Sequence, residues 1–281
     1  MANHVAEGED LYAAGEAEAS SLRKLYLRHE QLVIGGSAIL AFFVVWEMII
    51  RVGLVNPLFL SSPTLVVRAG YALFAEGDIW KDLRVSGTEF IVGYLLAAGV
   101  AIPLGLAVGW YRRLYFLLGP FIDALNAVPR VALLPIIIIW AGIGIWSKIV
   151  VVFLGAVIPM LINTFSGVKT TEERFLKVAR SFGASELKVF WSIVLPGTVP
   201  FIFTGLKYAS GRALLGVVVG ELYAATAGIG FLITVAGATF QTDKVFVGIL
   251  IITITGLLMV EILNRIEHRF DEWRPKVGSA E

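Results

Sequence analysis

The sequence predicts an all-α polytopic membrane protein with six transmembrane helices and both termini in the cytoplasm. Three observations carry that expectation. Hydrophobic residues make up 57% of the 281 and charged residues only 16%, against roughly 25% charged in an ordinary soluble domain. Six segments approach or exceed the length needed to cross a bilayer, since a helix rising about 1.5 Å per residue needs about 20 apolar residues to span a hydrocarbon core about 30 Å thick. Lys and Arg are also unequally divided: with the amino terminus inside, 14 face inward, 6 face outward, and Arg130, Lys207 and Arg212 fall within spans, which accounts for all 23. Cytoplasmic loops accumulate positive charge, so this division sets the orientation.

Taken in order, residues 1–20 are acidic and alanine-rich, with Glu7, Glu9, Asp10, Glu16 and Glu18. They lack the basic start and apolar core of a secretory signal and are expected to form a mobile cytoplasmic tail, with a surface helix as the alternative. Residues 21–281 form the transmembrane domain. Its first span is 31–52, near whose outer end Glu47 and Arg51, four apart, form a local pair. In the outer segment 53–87, Ser62 and Pro63 read as N-cap and first position of a short helix. Leu65, Val66, Ala69, Ala72 and Leu73 recur there at helical spacing, as in an interfacial helix or part of a landing surface for a binding protein.

Segments 88–111 and 147–168 are the plainest spans, because 90–111 and 149–168 contain no charged residue. Segment 115–141 is irregular, with Asp123, Arg130 and prolines at 120, 129 and 135. Proline removes a backbone donor and bends a helix, and the freed carbonyls must be satisfied inside protein or a cavity. This span is therefore expected to be kinked and pathway-facing. The last two spans are 198–224 and 243–264. Gly105 with Gly109 and Gly216 with Gly220 give two GxxxG spacings, weak support for a tight bundle or dimer.

Between spans four and five lies a polar, basic, helix-forming stretch, 170–196. Thr170 followed by Glu173 reads as a capping box. Phe175, Leu176 and Ala179 form an apolar stripe that Phe182 continues. Gly183 can take the left-handed conformation that ends a helix, and Ser185 can cap a second helix that runs until Pro196 blocks it. The expected product is a helix–turn–helix projecting from the membrane. Its exposed apolar groups, Phe190 and Trp191 among them, call for a partner or the bilayer interface as cover.

The punctuation of KVARSFGASELKVFWSIVLP, with Ala179, Gly183, Ile193 and then Leu195 and Pro196, resembles the cytoplasmic signature of ABC importer permeases, Glu-Ala-Ala then Gly, Ile and Leu-Pro. Lys177 and Val178 stand where that motif has Glu and its first Ala. The resemblance covers about residues 30–270. SSP at 61–63, GDIWKDLRVSGTEFIVGYLLAAGVAIPLGLAVGW, AVPRVALLPIIIIWAGIGIWSKI, FTGLKYASGRALLGVVVGELY and GIGFLI look like the nitrate, sulfonate, taurine and bicarbonate permease subfamily. That resemblance implies a type I importer permease (MetI-like) fold in a bacterial inner membrane. It also implies a homodimer, two copies of an ATPase subunit that bind ATP and Mg, and an extracytoplasmic substrate-binding protein. It places Glu173, Phe175, Ala179, Phe182, Gly183, Ala184, Ser185, Leu187, Leu195 and Pro196 at the contact with the ATPase.

Ionisable groups inside spans are costly and usually face the bundle interior. Arg212, about 21 Å along the fifth span from Thr198, with Glu221, Asn126 and Arg130, are the candidates for the translocation path. A positive charge there would suit a small anion such as a sulfonate, nitrate, bicarbonate or related organic acid; equally, Arg212 could pair internally, for example with Asp123 or Glu221 of either subunit. Asn126 and Asn163 could line the path or hydrogen-bond between helices, and Lys207 could snorkel to the interface.

Other classes find little support. The chain has no cysteine, and His4, His29 and His268 lie outside the apolar runs, which disfavours thiol chemistry and a buried His metal site. A net charge of +1 with dispersed basic residues carries no nucleic-acid signal. No Gly-x4-Gly-Lys-Ser/Thr loop occurs, so ATP hydrolysis must come from another chain. An ion-coupled secondary transporter is the rival reading, and it would predict an inverted repeat that the sequence does not display.

Overall fold

The computed structural model describes residues 29–30, 32–77 and 79–270; the expected tail, 1–20, lies outside them. The chain forms two units, residues 1–65 and 66–281. The first is built on α1, Leu32–Arg51, long and apolar enough to cross a membrane. The Glu47 carboxylate accepts from Arg51 Nε at 2.8 Å, as the spacing predicts, and also from Thr64 Oγ1 at 2.8 Å and Thr64 N at 3.1 Å. Trp46 Nε1 donates to the Ser61 carbonyl at 2.7 Å. Ser62 Oγ accepts from Leu65 N at 3.4 Å and Pro63 opens α2, Pro63–Glu76, as expected.

In the second unit α2 contributes Val66, Ala69 and Leu73, which are buried with Ile79, Ile229 and Val247. There follow α3, Ile79–Trp110; α4, Arg112–Ala127; a 3-10 turn, Arg130–Leu133; α5, Leu134–Ala141; and α6, Ile145–Lys169. The chain continues through α7, Glu173–Ser181; α8, Glu186–Val189; α9, Leu195–Ala224; α10, Ile229–Ala238; and α11, Thr242–His268. Among the described residues, five helices are long and apolar enough to cross a membrane, or six if the pair α4 and 130–141, bent by 91°, counts as one broken span. The described residues contain helices and no strand.

α6 is the most deeply buried of the long helices and packs between α3 and α9. Lipid tails are as apolar as leucine, so association in a bilayer depends on close packing rather than on removal of surface from water. The α3 face supplies small residues every fourth position: Gly93, Ala97, Ala101, Gly105 and Gly109. A Cβ on Gly93 would lie 2.7 Å from Val152, one on Gly105 2.7 Å from Thr164, and one on Gly109 2.5 Å from Val168. α9 meets α6 in the same way, where a Cβ on Gly205 would stand 2.9 Å from Asn163 and one on Gly216 3.1 Å from Val152. Both GxxxG spacings thus lie at helix contacts inside one chain.

One end of the bundle is pinned by polar groups. Glu89 is 0% exposed and forms an ion pair at 3.1 Å with Lys148, which is 6% exposed. The Glu89 carboxyl lies against that of Glu221, which is 1% exposed. Glu221 accepts from Ser86 Oγ at 2.6 Å and from Gly230 N at 2.5 Å. Ser86 Oγ in turn accepts from Ile229 N at 2.8 Å, and Asp82 accepts from Gly228 N at 2.7 Å. The N–H groups of Gly228, Ile229 and Gly230, at the start of α10, are therefore satisfied by side chains of α3 and α9. Gly228 has φ +124, and a Cβ there would sit 2.1 Å from Glu221 Oε1. Lys207 does not snorkel; it is ion-paired with Glu267 of α11.

Two outcomes are expected in thermal unfolding of the detergent-solubilised protein. Glu221→Ala strands the Ser86 hydroxyl and the Gly230 N–H and should destabilise by about 1–3 kcal/mol. Gly105→Leu overfills the α3–α6 contact and should cost about 1–3 kcal/mol. Gly99→Leu, on the same helix with nothing within 4 Å, should leave the transition unchanged.

Candidate functional site

Two features stand apart from the packed core: the 170–196 stretch and a cavity beside the 91° bend. The capping box expected at Thr170 and Glu173 does not form. α6 runs on to Lys169, and Thr170 Oγ1 donates back to the Gly167 carbonyl at 2.8 Å, so the hydroxyl closes the preceding helix instead of opening the next. α7 begins without a side-chain cap after Glu172. Its other end follows the expected chemistry: Gly183 has φ +74, its N–H reaches the Arg180 carbonyl at 2.9 Å, and Ala184 N reaches the Ala179 carbonyl at 3.1 Å. This pair of bonds is a Schellman closure, which favours glycine at the left-handed position.

Ser185 then caps α8, accepting from Lys188 N at 3.4 Å. Arg180 donates from Nε and Nη2 to the Glu186 carboxylate at 2.9 and 3.2 Å, tying the two short helices across the turn. That contact raises the Arg180 pKa above its ordinary value. Lys177, which replaces the motif's Glu, pairs with Glu173 one turn earlier at 3.2 Å, so a carboxylate remains on this helix, displaced by four residues.

The expected end at Pro196 is also corrected: the helix runs from Glu186 through to Tyr223. Residues Phe190–Val194 form a π-turn, and Leu195 N donates five residues back to the Phe190 carbonyl. The widened turn relieves the clash between the pyrrolidine ring and the carbonyl four residues earlier, so Pro196 sits in the first turn of α9 without stopping the helix.

Phe182 is 86% and Leu187 69% exposed, with Phe175 and Val178 also exposed. Trp191 is exposed, whereas Phe190 is half-buried edge-on against Trp110. Ala179 and Ala184 are half-buried beside the turn, and Leu195 and Pro196 lie beyond the helix pair at the root of α9. Behind α8, Leu106, Trp110, Tyr111, Leu187 and Trp191 line a groove of about 540 Å³.

The cavity of about 330 Å³ is lined by Asn126, Pro129, Arg130, Gly155, Arg212 and Gly216 with neighbouring aliphatic groups. Pro120 lies inside α4 and Pro135 in the first turn of α5, so the break falls at Val128 and Pro129. Arg212 Nη2 donates to Tyr208 Oη at 2.8 Å, with its guanidinium 5.4 Å from that ring. Arg212 makes no ion pair with Asp123 or Glu221 of the same chain. Glu221 follows Arg212 by nine residues, about half a turn out of phase at about 100° per residue, and lies instead in the buried network with Ser86. Asn163 donates to the Pro159 carbonyl of its own helix at 2.8 Å and bridges no pair of helices.

Sequence reasoning missed Glu89 and Lys148. Glu89 sits one residue before the charge-free run 90–111, and Lys148 one residue before the charge-free run 149–168. The available signal was the spacing of Asp82, Ser86 and Glu89, which puts all three on the α3 face that continues into the small-residue seam.

Comparison with known families matches residues 100–272 to the family described as binding-protein-dependent transport system inner membrane component. The chain is 34% identical over 255 residues to the taurine transport system permease protein TauC of Escherichia coli (strain K12), covering 89% of this chain and 92% of that one. It is 32% identical over 230 residues to the putative aliphatic sulfonates transport permease protein SsuC of Bacillus subtilis (strain 168), covering 82% and 83%. Among solved structures, a chain of the MetNI methionine ABC transporter in an inward-facing conformation superposes with a TM-score of 0.57 at 16% identity, covering 74% of this chain and 97% of that one; this likeness establishes the MetI-like fold. The chain belongs to the family of inner membrane components of binding-protein-dependent transport systems, the ABC transporter permeases.

Proposed function

We propose that this chain is the transmembrane permease subunit of an ATP-driven importer in a bacterial inner membrane. With a second copy of itself it forms the path for a small anionic solute, delivered by an extracytoplasmic binding protein. The carrying observation is the Schellman-closed helix pair α7–α8, which presents Phe175, Phe182 and Leu187 to a partner. Exposed aromatic and aliphatic groups on a charged helix pair are costly in water and favourable in an interface. The partner is an ATPase subunit, one copy per permease chain, which binds the ATP and Mg. The helix pair and both termini lie on the cytoplasmic side, in keeping with the Lys and Arg distribution.

Transport follows by alternating access. Closure of the two ATPases around nucleotide draws the paired α7–α8 elements together and turns the bundle between inward and outward openings. The ATPase can drive this only through differential contact with the element in its two states. The Schellman turn at Gly183 and the Arg180–Glu186 ion pair link the two short helices, so that they move together. Sulfonates are the first solutes to test, because the relatives named above carry taurine and aliphatic sulfonates in their names and the path candidates Arg130 and Arg212 are cationic.

Replacing Gly183 by valine places a β-branched residue at φ +74, a strain of about 1–2 kcal/mol. Substrate-stimulated ATP hydrolysis by the reconstituted complex should fall roughly tenfold or more, while membrane insertion stays intact; unchanged stimulation would remove the turn from coupling. Phe182→Asp should abolish co-purification of the ATPase subunit, and uptake that persists without any ATPase would refute the importer reading.

A further inference from the structure

We infer that the cavity at the bend between α4 and α5 is a discrete binding site for one small, fully ionised oxyanion, clasped between Arg130 and Arg212 with the Asn126 amide as a third donor. The first support is the pairing of charges. The two arginines line one cavity. Neither has a carboxylate partner among the described residues, and the group that Arg212 does hold, Tyr208 Oη, is neutral. The contrast with the lysines of the long helices is sharp, since Lys148 is matched to Glu89 and Lys207 to Glu267. A bundle that neutralises those cations internally leaves two arginines on one cavity with no carboxylate partner among the described residues. An anion in that cavity supplies the missing partner to both.

The second support is how the site is built. Arg130 opens the 3-10 turn immediately after Pro129, so the break that bends the span also delivers its guanidinium. Gly155 lets α6 close on α9 at the level of the other arginine: a Cβ there would stand 2.9 Å from the Arg212 carbonyl. Both side chains thus depend on backbone features that are specific to this level of the bundle.

The third support is chemistry. Guanidinium stays charged at all relevant pH, is weakly hydrated and offers forked donors to paired oxygens. Two forks fit a group with three equivalent acceptor oxygens, such as a sulfonate. A volume of about 330 Å³ lies at the small end of ligand pockets, about 300–1,000 Å³. The role of this site as a way station in transport rests on the importer reading above; the site itself rests on the cavity.

The test uses the full chain in zwitterionic-lipid nanodiscs, with ethanesulfonate as probe and the uncharged, nearly isosteric ethyl methyl sulfone as control, followed by ligand-observed NMR titration. Ethanesulfonate should bind saturably and the sulfone at least roughly tenfold more weakly, as expected for charge-assisted contacts. Arg130→Gln and Arg212→Gln should each weaken ethanesulfonate roughly tenfold or more, and Arg212→Lys should retain part of the affinity. If a Gln variant fails to fold, Asn126→Asp, at an exposed position, brings a competing carboxylate to the same cavity and should abolish binding. No saturable binding by the unaltered chain, equal binding of the sulfone, or full affinity in the variants would overturn the site. Co-purification of the ATPase in the same preparations separates the readings: loss of binding with the ATPase retained refutes the site alone, and binding without an ATPase partner refutes the importer alone.

Discussion

The bundle depends on the approach of α3 and α9 to α6 across faces that carry almost no side chain. In lipid, apolar burial supplies little net drive between helices, and only near-contact of backbones yields enough dispersion energy and sheltered hydrogen bonding to hold them. Gly93, Gly105, Gly109, Gly205 and Gly216 lie at those contacts. The buried charges depend on the same closeness, because Lys148 reaches Glu89 only where α6 lies against α3. A looser bundle would admit lipid and strand the ions.

The α3 face combines both devices along a single line. Asp82, Ser86 and Glu89 occupy its first turns, and Gly93, Ala97, Ala101, Gly105 and Gly109 continue it. The polar part fixes the start of α10 and the small part admits α6. Because Glu221 from α9 completes the polar part, three helices and the entry to a fourth are locked at one level. The 91° bend after α4 is built from a proline break, and the cavity beside it is lined by Arg130 and Arg212, which have no carboxylate partner among the described residues. One cluster thus gathers a lysine against two carboxylates inside the bundle, and the cavity at the bend gathers two arginines.

Much of this was legible in the sequence, and the reasons are local. Gly183, Ser185 and Ser62 act through hydrogen bonds within a few residues of themselves and Pro63 through its fixed backbone angle, so their types and spacing were enough. Thr170 was misread because a threonine between two helices can bond forward or backward, and the choice depends on where α6 ends. Pro196 was misread because no residue type announces a π-turn. The match of Glu89 to Lys148 joins residues far apart in the chain, and nothing but the helix contact brings them together. The path candidates were partly separable in advance: nine residues of helix put Arg212 and Glu221 on opposite faces, so one cavity could not hold both.

The π-turn at Phe190–Val194 has a consequence for geometry that composition does not touch. A π-turn is the trace of one surplus residue in an α-helix, and each residue rotates the chain by about 100° about the axis. The azimuth of the projecting arm relative to the membrane-embedded rod is therefore encoded by a residue count between Trp191 and Pro196, independently of which side chains fill it. A one-residue deletion there would leave both ends chemically intact and aim the arm at empty space, whereas many substitutions at the same positions would leave its bearing unchanged.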